Sequence, residues 1–241
     1  MKPRDLIEDL TPFQWLEVVA IFVLTVVCIC IDHSQSWWYI SIDTIATLTG
    51  VICVVLCAAG NKQSYYWGFV NIFTYIVIAW INGYYGEVML NGLYYLPMQF
   101  IGLYNWSKHY NTKANQVESK KMSYKQVALF LATSAVCVVA YKFLLDWIKG
   151  TSTLLDSMST VLSLFACFLM TQRYREQWLL WIIIDVITVG MWIIVKDGLM
   201  IAMWSIYLIN ALYGWIVWSK AIKPRKVEYC RDWLDIPYVE E

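Results

Sequence analysis

The chain has 241 residues, 60% of them hydrophobic and only 15% charged, with a formal net charge of +0. A soluble domain of this size has too little interior to hide that much apolar side chain, so the composition places the chain in a membrane. The balanced charge offers no basic face for nucleic acid, and no Gly-x-x-x-x-Gly-Lys-Ser/Thr loop or kinase signature is present, so energy from ATP would need another protein. The first ten residues carry acid groups and lead into a long apolar run without a small-residue cleavage site, which reads as a retained segment rather than a signal peptide.

Runs of about 20 apolar residues predict eight transmembrane helices, at 14–32, 38–60, 64–82, 87–107, 126–147, 153–171, 177–195 and 199–219. With eight crossings, fifteen of the 18 Lys and Arg residues fall on one side, and only Lys142, Lys149 and Lys196 on the other. That bias predicts both termini to be cytoplasmic. The spacer from Asn111 to Lys125 is polar and lysine-rich, and the tail after Lys220 is of mixed charge; neither contains a recognisable domain.

A shift of about 113 residues brings out an internal repeat. Asp43-Thr-Ile-Ala-Thr, Trp67-Gly-Phe-Val-Asn71 and Gly102-Leu-Tyr-Asn-Trp-Ser-Lys108 return as Asp156-Ser-Met-Ser-Thr, Trp181-Ile-Ile-Ile-Asp185 and Gly214-Trp-Ile-Val-Trp-Ser-Lys220. Each copy holds three spans and one span separates them, so both copies run in the same direction across the bilayer. The expected fold is an all-α integral membrane protein with two parallel three-helix repeats joined by a linker helix, 3+1+3, plus an extra N-terminal helix. Among transporters, parallel repeats of this kind occur in the SWEETs, and substrate is expected near mid-membrane between the copies. The corresponding domains are 1–37 (N-terminal segment and extra helix), 38–108 (first repeat), 109–152 (loop and connecting helix), 153–220 (second repeat) and 221–241 (cytoplasmic tail).

Within the spans the informative stripe is Trp178, Trp181 and Asp185, at i, i+3 and i+7 on one helix face. A carboxylate near mid-membrane is costly facing lipid and belongs in the bundle interior, where it marks a functional site. Two indoles beside it suit a flat aromatic ligand, above all a cation. Asn71, Gln99 and Asn210 are expected to contact the ligand, with Trp204 and Tyr207 completing a cage opposite and Trp67 beside Asn71. Asp43 and Asp156 begin the first helix of each copy and read as helix caps or gating groups. Tryptophans and tyrosines at span ends, among them Trp37, Trp38, Tyr65, Tyr66, Trp106 and Trp218, read as interfacial anchors. Gly50, Gly68, Pro97 and Gly190 are candidate flex points for rocking of the two copies. Six of the seven cysteines lie inside apolar runs as packing residues, with no Cys-x-x-Cys; neither a metal site, a cofactor nor a disulfide framework is expected. His33 and His109 read as surface residues.

The run Leu169-Met-Thr-Gln-Arg-Tyr-Arg-Glu-Gln-Trp-Leu-Leu-Trp181 is similar to the hallmark stretch of the PnuC nicotinamide riboside transporters, as are Trp67-Gly-Phe-Val-Asn71 and the Trp-Ser-Lys that closes each copy. The resemblance spans about residues 40 to 220. It implies a bacterial inner-membrane vitamin transporter that moves nicotinamide riboside by facilitated diffusion, trapped by a cytosolic riboside kinase, and assembled as a homotrimer. Carried over, Trp178 and Trp181 line the ligand site, while Asp185 stands where the family's Trp-x-x-Trp-x-x-x-Asn form has asparagine. Thiamine is also a flat cation, so thiamine or riboflavin transport is the alternative. A phosphorylated ligand is disfavoured, since no Arg or Lys lies among the candidate residues. A non-transporting receptor or scaffold is a further reading. An intramembrane enzyme has no nucleophile–base arrangement to support it.

Overall fold

The computed structural model describes residues 10–31, 36–83, 85–147, 153–196 and 198–222. The expected N-terminal segment, His33 and nearly all of the tail lie outside them. In lipid, every backbone N–H and C=O must be paired within the segment, so long apolar runs form helices. The helices are α1 (Pro12–Ile31), α2 (Trp37–Ala58), α3 (Ser64–Ile81), α4 (Tyr85–Leu90), α5 (Leu96–Lys108), α6 (Tyr124–Trp147), α7 (Thr153–Thr171), α8 (Gln177–Val195) and α9 (Gly198–Lys220). Each of the eight predicted spans falls on one of them, or on α4 and α5 together. By length and composition, α2, α3, α6 and the Met200–Lys220 part of α9 suffice to cross a membrane. Hydroxyls inside them mostly bond their own backbone, as Thr44 to the Ile40 carbonyl (2.7 Å) and Thr188 to that of Ile184 (2.8 Å).

Between α4 and α5 the helix widens into a π turn, Asn91–Tyr95. Pro97 brings no N–H and a ring that crowds the preceding turn. The Leu96 N–H reaches back five residues to the Asn91 carbonyl, and the buried Asn91 side chain donates to the Glu87 carbonyl at 2.9 Å. Of the expected flex points, Pro97 thus coincides with a real break in the helix. Gly50 and Gly68 do not: a Cβ at Gly50 would lie 2.9 Å from the Asn71 amide, and one at Gly68 2.6 Å from that of Gln99. Both serve close packing.

The α2–α3 and α7–α8 turns share one geometry at one end of the bundle. Gly60 has φ +71°, and donates to the Cys57 carbonyl while Asn61 donates to Leu56. Arg173 has φ +66°, and donates to Met170 while Tyr174 donates to Leu169. These are left-handed helix C-caps, a conformation that glycine adopts freely and arginine only against steric cost. The four residue pairs are each 113 positions apart.

The polar spacer holds more order than its composition suggested. Tyr110–Asn111 (β1) and Gln116–Val117 (β2) form a two-stranded antiparallel hairpin. From there the chain crosses both turns as a strap. The Val117 N–H donates to the Gly60 carbonyl, Lys120 to Arg173 and Arg175 back to Lys120. The Ser119 hydroxyl donates to the Trp218 carbonyl (2.6 Å), the Arg173 Nη1 to Glu118 (2.9 Å), and the Met122 N–H to the Glu176 carboxylate (3.2 Å). Burial beside Arg173 lowers the pKa of Lys120, desolvation being the larger cause.

In the bundle, α2 packs on α1, α3 and α9, while α7 packs on α5, α6 and α8; α3 also meets α5, and α8 meets α9.

Candidate functional site

The largest buried cluster is aromatic. Trp106 on α5 and Trp218 on α9 lie with ring centroids 5.3 Å apart. The Trp106 indole N–H donates to the Met170 carbonyl on α7 (2.9 Å), and that of Trp218 to the Cys57 carbonyl on α2 (3.1 Å). Between them the Cys57 Sγ stands 3.4 Å from the Met170 Sδ. Tyr65 sets its edge on Trp106 at 5.0 Å, and Trp178 sets its edge on Trp218 at 6.1 Å. Each outer ring lies against a glycine backbone: Tyr65 on Gly102, and Trp178 on Gly214, where a Cβ would come within 2.6 Å of the indole. Tyr65, Trp106 and Trp218 are therefore not interfacial anchors. They are 1%, 0% and 1% exposed and lock α5 and α9 to the helices opposite. Trp37, Trp38 and Tyr66 are exposed, as anchors should be.

The predicted stripe climbs α8 from this row. Trp178 is buried, Trp181 one turn on is half-buried between the row and the Ala166–Leu169–Leu180 cluster, and Asp185 a turn further is 4% exposed. No hydrogen bond holds the Asp185 carboxylate among the described residues, and the phenol of Tyr207 on α9 lies within reach of its charge. Tyr207 meets Trp204 edge-on at 5.6 Å. Asn210, one turn along, is buried and donates weakly to the Val54 carbonyl at 3.5 Å. The structure thus gathers six of the expected residues onto the adjacent helices α8 and α9.

The other three stand on α3 and α5. Asn71 donates to the Ala46 carbonyl at 2.7 Å, which fastens α3 to α2. Gln99 lays its amide over Gly68. Five candidate residues present buried polar atoms without a partner: the indole N–H of Trp67, Trp178 and Trp204, and the side-chain oxygens of Gln99 and Asn210. Native interiors rarely leave such groups unpaired unless a ligand or water meets them. Asp43 is exposed and sits six residues beyond the start of α2, so it caps no helix end. Asp156 lies in the first turn of α7, its side chain outside the described residues.

Three residues beyond Tyr65 is Gly68, under Gln99; three beyond Trp178 is Trp181, with the small Ala211 three residues before Gly214. Counted from the two turns, Asn71 corresponds to Ile184 and Asp185 to Ile72, one residue off the match made by residue type. Gln14 and Glu17, both buried on α1, are absent from the residues expected to matter. Their signal is plain in the sequence: two polar side chains three apart in an apolar run.

Residues 40–220 match the family model described as nicotinamide mononucleotide transporter. The chain belongs to the nicotinamide mononucleotide transporter family. Among its relatives is a nicotinamide riboside transporter PnuC of Neisseria mucosa, 32% identical over 232 residues, covering 91% of this chain and 86% of that protein. The Haemophilus influenzae protein of the same name is 30% identical, over 91% of this chain and 95% of its own. A crystal structure of the vitamin B3 transporter PnuC superposes with a TM-score of 0.72 at 30% identity, covering 91% of this chain and 95% of that one. This family member is therefore a predominantly helical, multi-pass inner-membrane protein of a transporter family, not an enzyme.

Proposed function

We propose that this protein takes up nicotinamide riboside by facilitated diffusion, with phosphorylation by a cytosolic riboside kinase drawing uptake inward. The carrying observation is the α8–α9 face, where indoles, unpartnered polar atoms and the lone Asp185 carboxylate stand together. A pyridinium ring is a flat cation. Indole faces attract it by about 0.5–2 kcal/mol each, the carboxylate balances its charge, and the free amide and indole groups suit the carboxamide and ribose hydroxyls. The family description names the mononucleotide, but none of the nine candidate residues is Lys or Arg to meet a phosphate, which favours the riboside.

The architecture we infer is 3+1+3, with α2–α5 as one repeat, α6 as the connector, α7–α9 as the other and α1 added in front, within the domain divisions given above. The matched turns and the paired Tyr65–Gly102 and Trp178–Gly214 contacts support it. The strap end is cytoplasmic by the Lys and Arg bias, with both termini on that side, and a homotrimer is the expected assembly. Substrate binds between the repeats, which rock to expose it alternately. Calorimetry of the purified protein tests this against nicotinamide riboside, its mononucleotide, thiamine and riboflavin. Riboside binding with flux in liposomes supports the reading. Preference for thiamine reassigns the cargo, and binding without flux leaves a receptor.

A further inference from the structure

On α1, Gln14 and Glu17 lie on one face, at i and i+3. Both polar atoms of the Gln14 amide have partners: its Oε1 accepts from the Thr11 N–H (2.9 Å) and hydroxyl (3.2 Å), and its Nε2 donates to the Val55 carbonyl (3.3 Å). Glu17 is 4% exposed and both carboxylate oxygens are buried without a hydrogen bond. α1 meets α9 where Thr11 stands beside Tyr213, and Ile206 and Tyr207 of α9 pack against the Ile21–Val51–Val55 cluster that α1 and α2 share. Gln14 reaches the Val55 carbonyl and Asn210 the adjacent Val54 carbonyl, so Asn210 stands at the level of Gln14, one turn from Glu17. Asn210 there holds a second buried, unpartnered acceptor, its Oδ1.

Two acceptor groups with no donor between them is an unstable arrangement, and an isolated carboxylate in an apolar interior is worse. From α2, the titratable residues are Tyr39, whose hydroxyl accepts from Asn82 (2.8 Å), Asp43, Cys53 and Cys57; from α9 they are Tyr207, Tyr213 and Lys220. None hydrogen-bonds Glu17. Asp43 is exposed, Tyr213 meets Thr11, Tyr207 lies by Asp185, and Lys220 ends α9 about 15 Å along the helix from Asn210. A hard cation would want about six oxygens, and no group of three or more His, Cys, Asp or Glu residues gathers among the described residues. A proton needs only one acceptor and turns the carboxyl into the missing donor. It also has a route. A cavity of about 350 Å³ opens between α1, α2, α9 and the hairpin, lined by Thr11, Gln14, Asn61, Lys113, Gln116 and Tyr213, and reaches Gln14 one turn from Glu17.

We propose that Glu17 is a proton-binding site, filled from this cavity, whose occupancy sets the orientation of the Asn210 amide. Protonated Glu17 donates to the Asn210 oxygen and keeps the amide N–H₂ at the Val54 carbonyl, with its second N–H left for the ligand. Ionised Glu17 instead accepts from that N–H₂ and withdraws it. Substrate affinity therefore falls as pH rises, a linkage that rests on the riboside reading above.

Infrared difference spectra of the whole purified protein in H₂O and D₂O test the site without substrate. The expected result is a protonated-carboxyl C=O band that Glu17→Gln removes and Asp185→Asn retains. Should Glu17→Gln fail to fold, Glu17→Asp must shift the same band. A spectrum lacking it, or a band that added sodium abolishes at constant pH, overturns the proposal. Calorimetry with nicotinamide riboside over rising pH then reads the linkage: severalfold weakening in the wild type and a flat profile in Glu17→Gln. A flat wild-type profile overturns the link to Asn210. The band without any riboside binding upholds the proton site and overturns the riboside reading instead.

Discussion

Gly214→Ala isolates the packing of Trp178 in one methyl group. A Cβ at that position would stand 2.6 Å from the indole Cε2 and 2.7 Å from Cδ2 and Cζ2. Carbon atoms pack best at about 3.5–4.0 Å, so the ring must retreat by about 1 Å. It has nowhere easy to go, being 2% exposed with Trp218 at its edge. Overpacking of this kind costs about 1–3 kcal/mol. The assay is thermal unfolding of the detergent-solubilised protein followed by intrinsic fluorescence, with a drop of several degrees expected. Trp178→Ala removes the atoms in conflict, so the double variant should recover about 1 kcal/mol relative to additivity. Equal stability of Gly214→Ala and the wild type, or strict additivity in the cycle, refutes the reasoning.

Trp218→Ala, which an anchoring role would leave nearly silent, should destabilise by about 3–5 kcal/mol, because it empties a buried site and removes the indole bond from α9 to the Cys57 carbonyl; the same melting assay reads it. Gly60→Ala should cost about 1–2 kcal/mol through its left-handed φ alone, and more from the Gln116 side chain 2.7 Å away; a neutral result denies the shared turn geometry. Ser119→Ala loses the 2.6 Å bond to the Trp218 carbonyl, for about 1 kcal/mol, visible as faster hydrogen exchange in the strap. Trp181→Ala and Asp185→Ala should each weaken riboside binding about tenfold, worth about 1.4 kcal/mol, with melting temperature nearly kept for Asp185→Ala; unchanged calorimetric affinity in both would remove the α8 site.

Hydropathy made the helices legible to within two residues at most ends, since lipid leaves an apolar run no other structure. The α8 and α9 candidates were legible because helical spacing alone puts Trp178, Trp181 and Asp185 on one stripe. Exposure was not. Tyr65, Trp106 and Trp218 sit near helix ends, where interfacial aromatics also sit, and only the carbonyls that the two indoles reach on α7 and α2 reveal the cluster as core. The strap was hidden for another reason: its order comes from main-chain bonds to two distant turns, which no local pattern in a lysine-rich spacer encodes. Pairing Asn71 with Asp185 followed residue type, whereas the turns count one residue differently, a rotation of about 100° on a helix.

The uneven filling around the aromatic row bears on how a guest would lie. On the α3–α5 side, bulk is supplied by Gln99 over Gly68; on the α8–α9 side it is supplied by Trp181, with Ala211 small. A chamber between two identical halves would accept an unsymmetrical molecule in either of two opposed poses, an entropy worth only RT ln 2, about 0.4 kcal/mol. Here one wall offers an indole and the other an amide. If the proposed site is the one used, the planar ring of a nucleoside would have one berth and its sugar another, and every passenger would ride facing the same way.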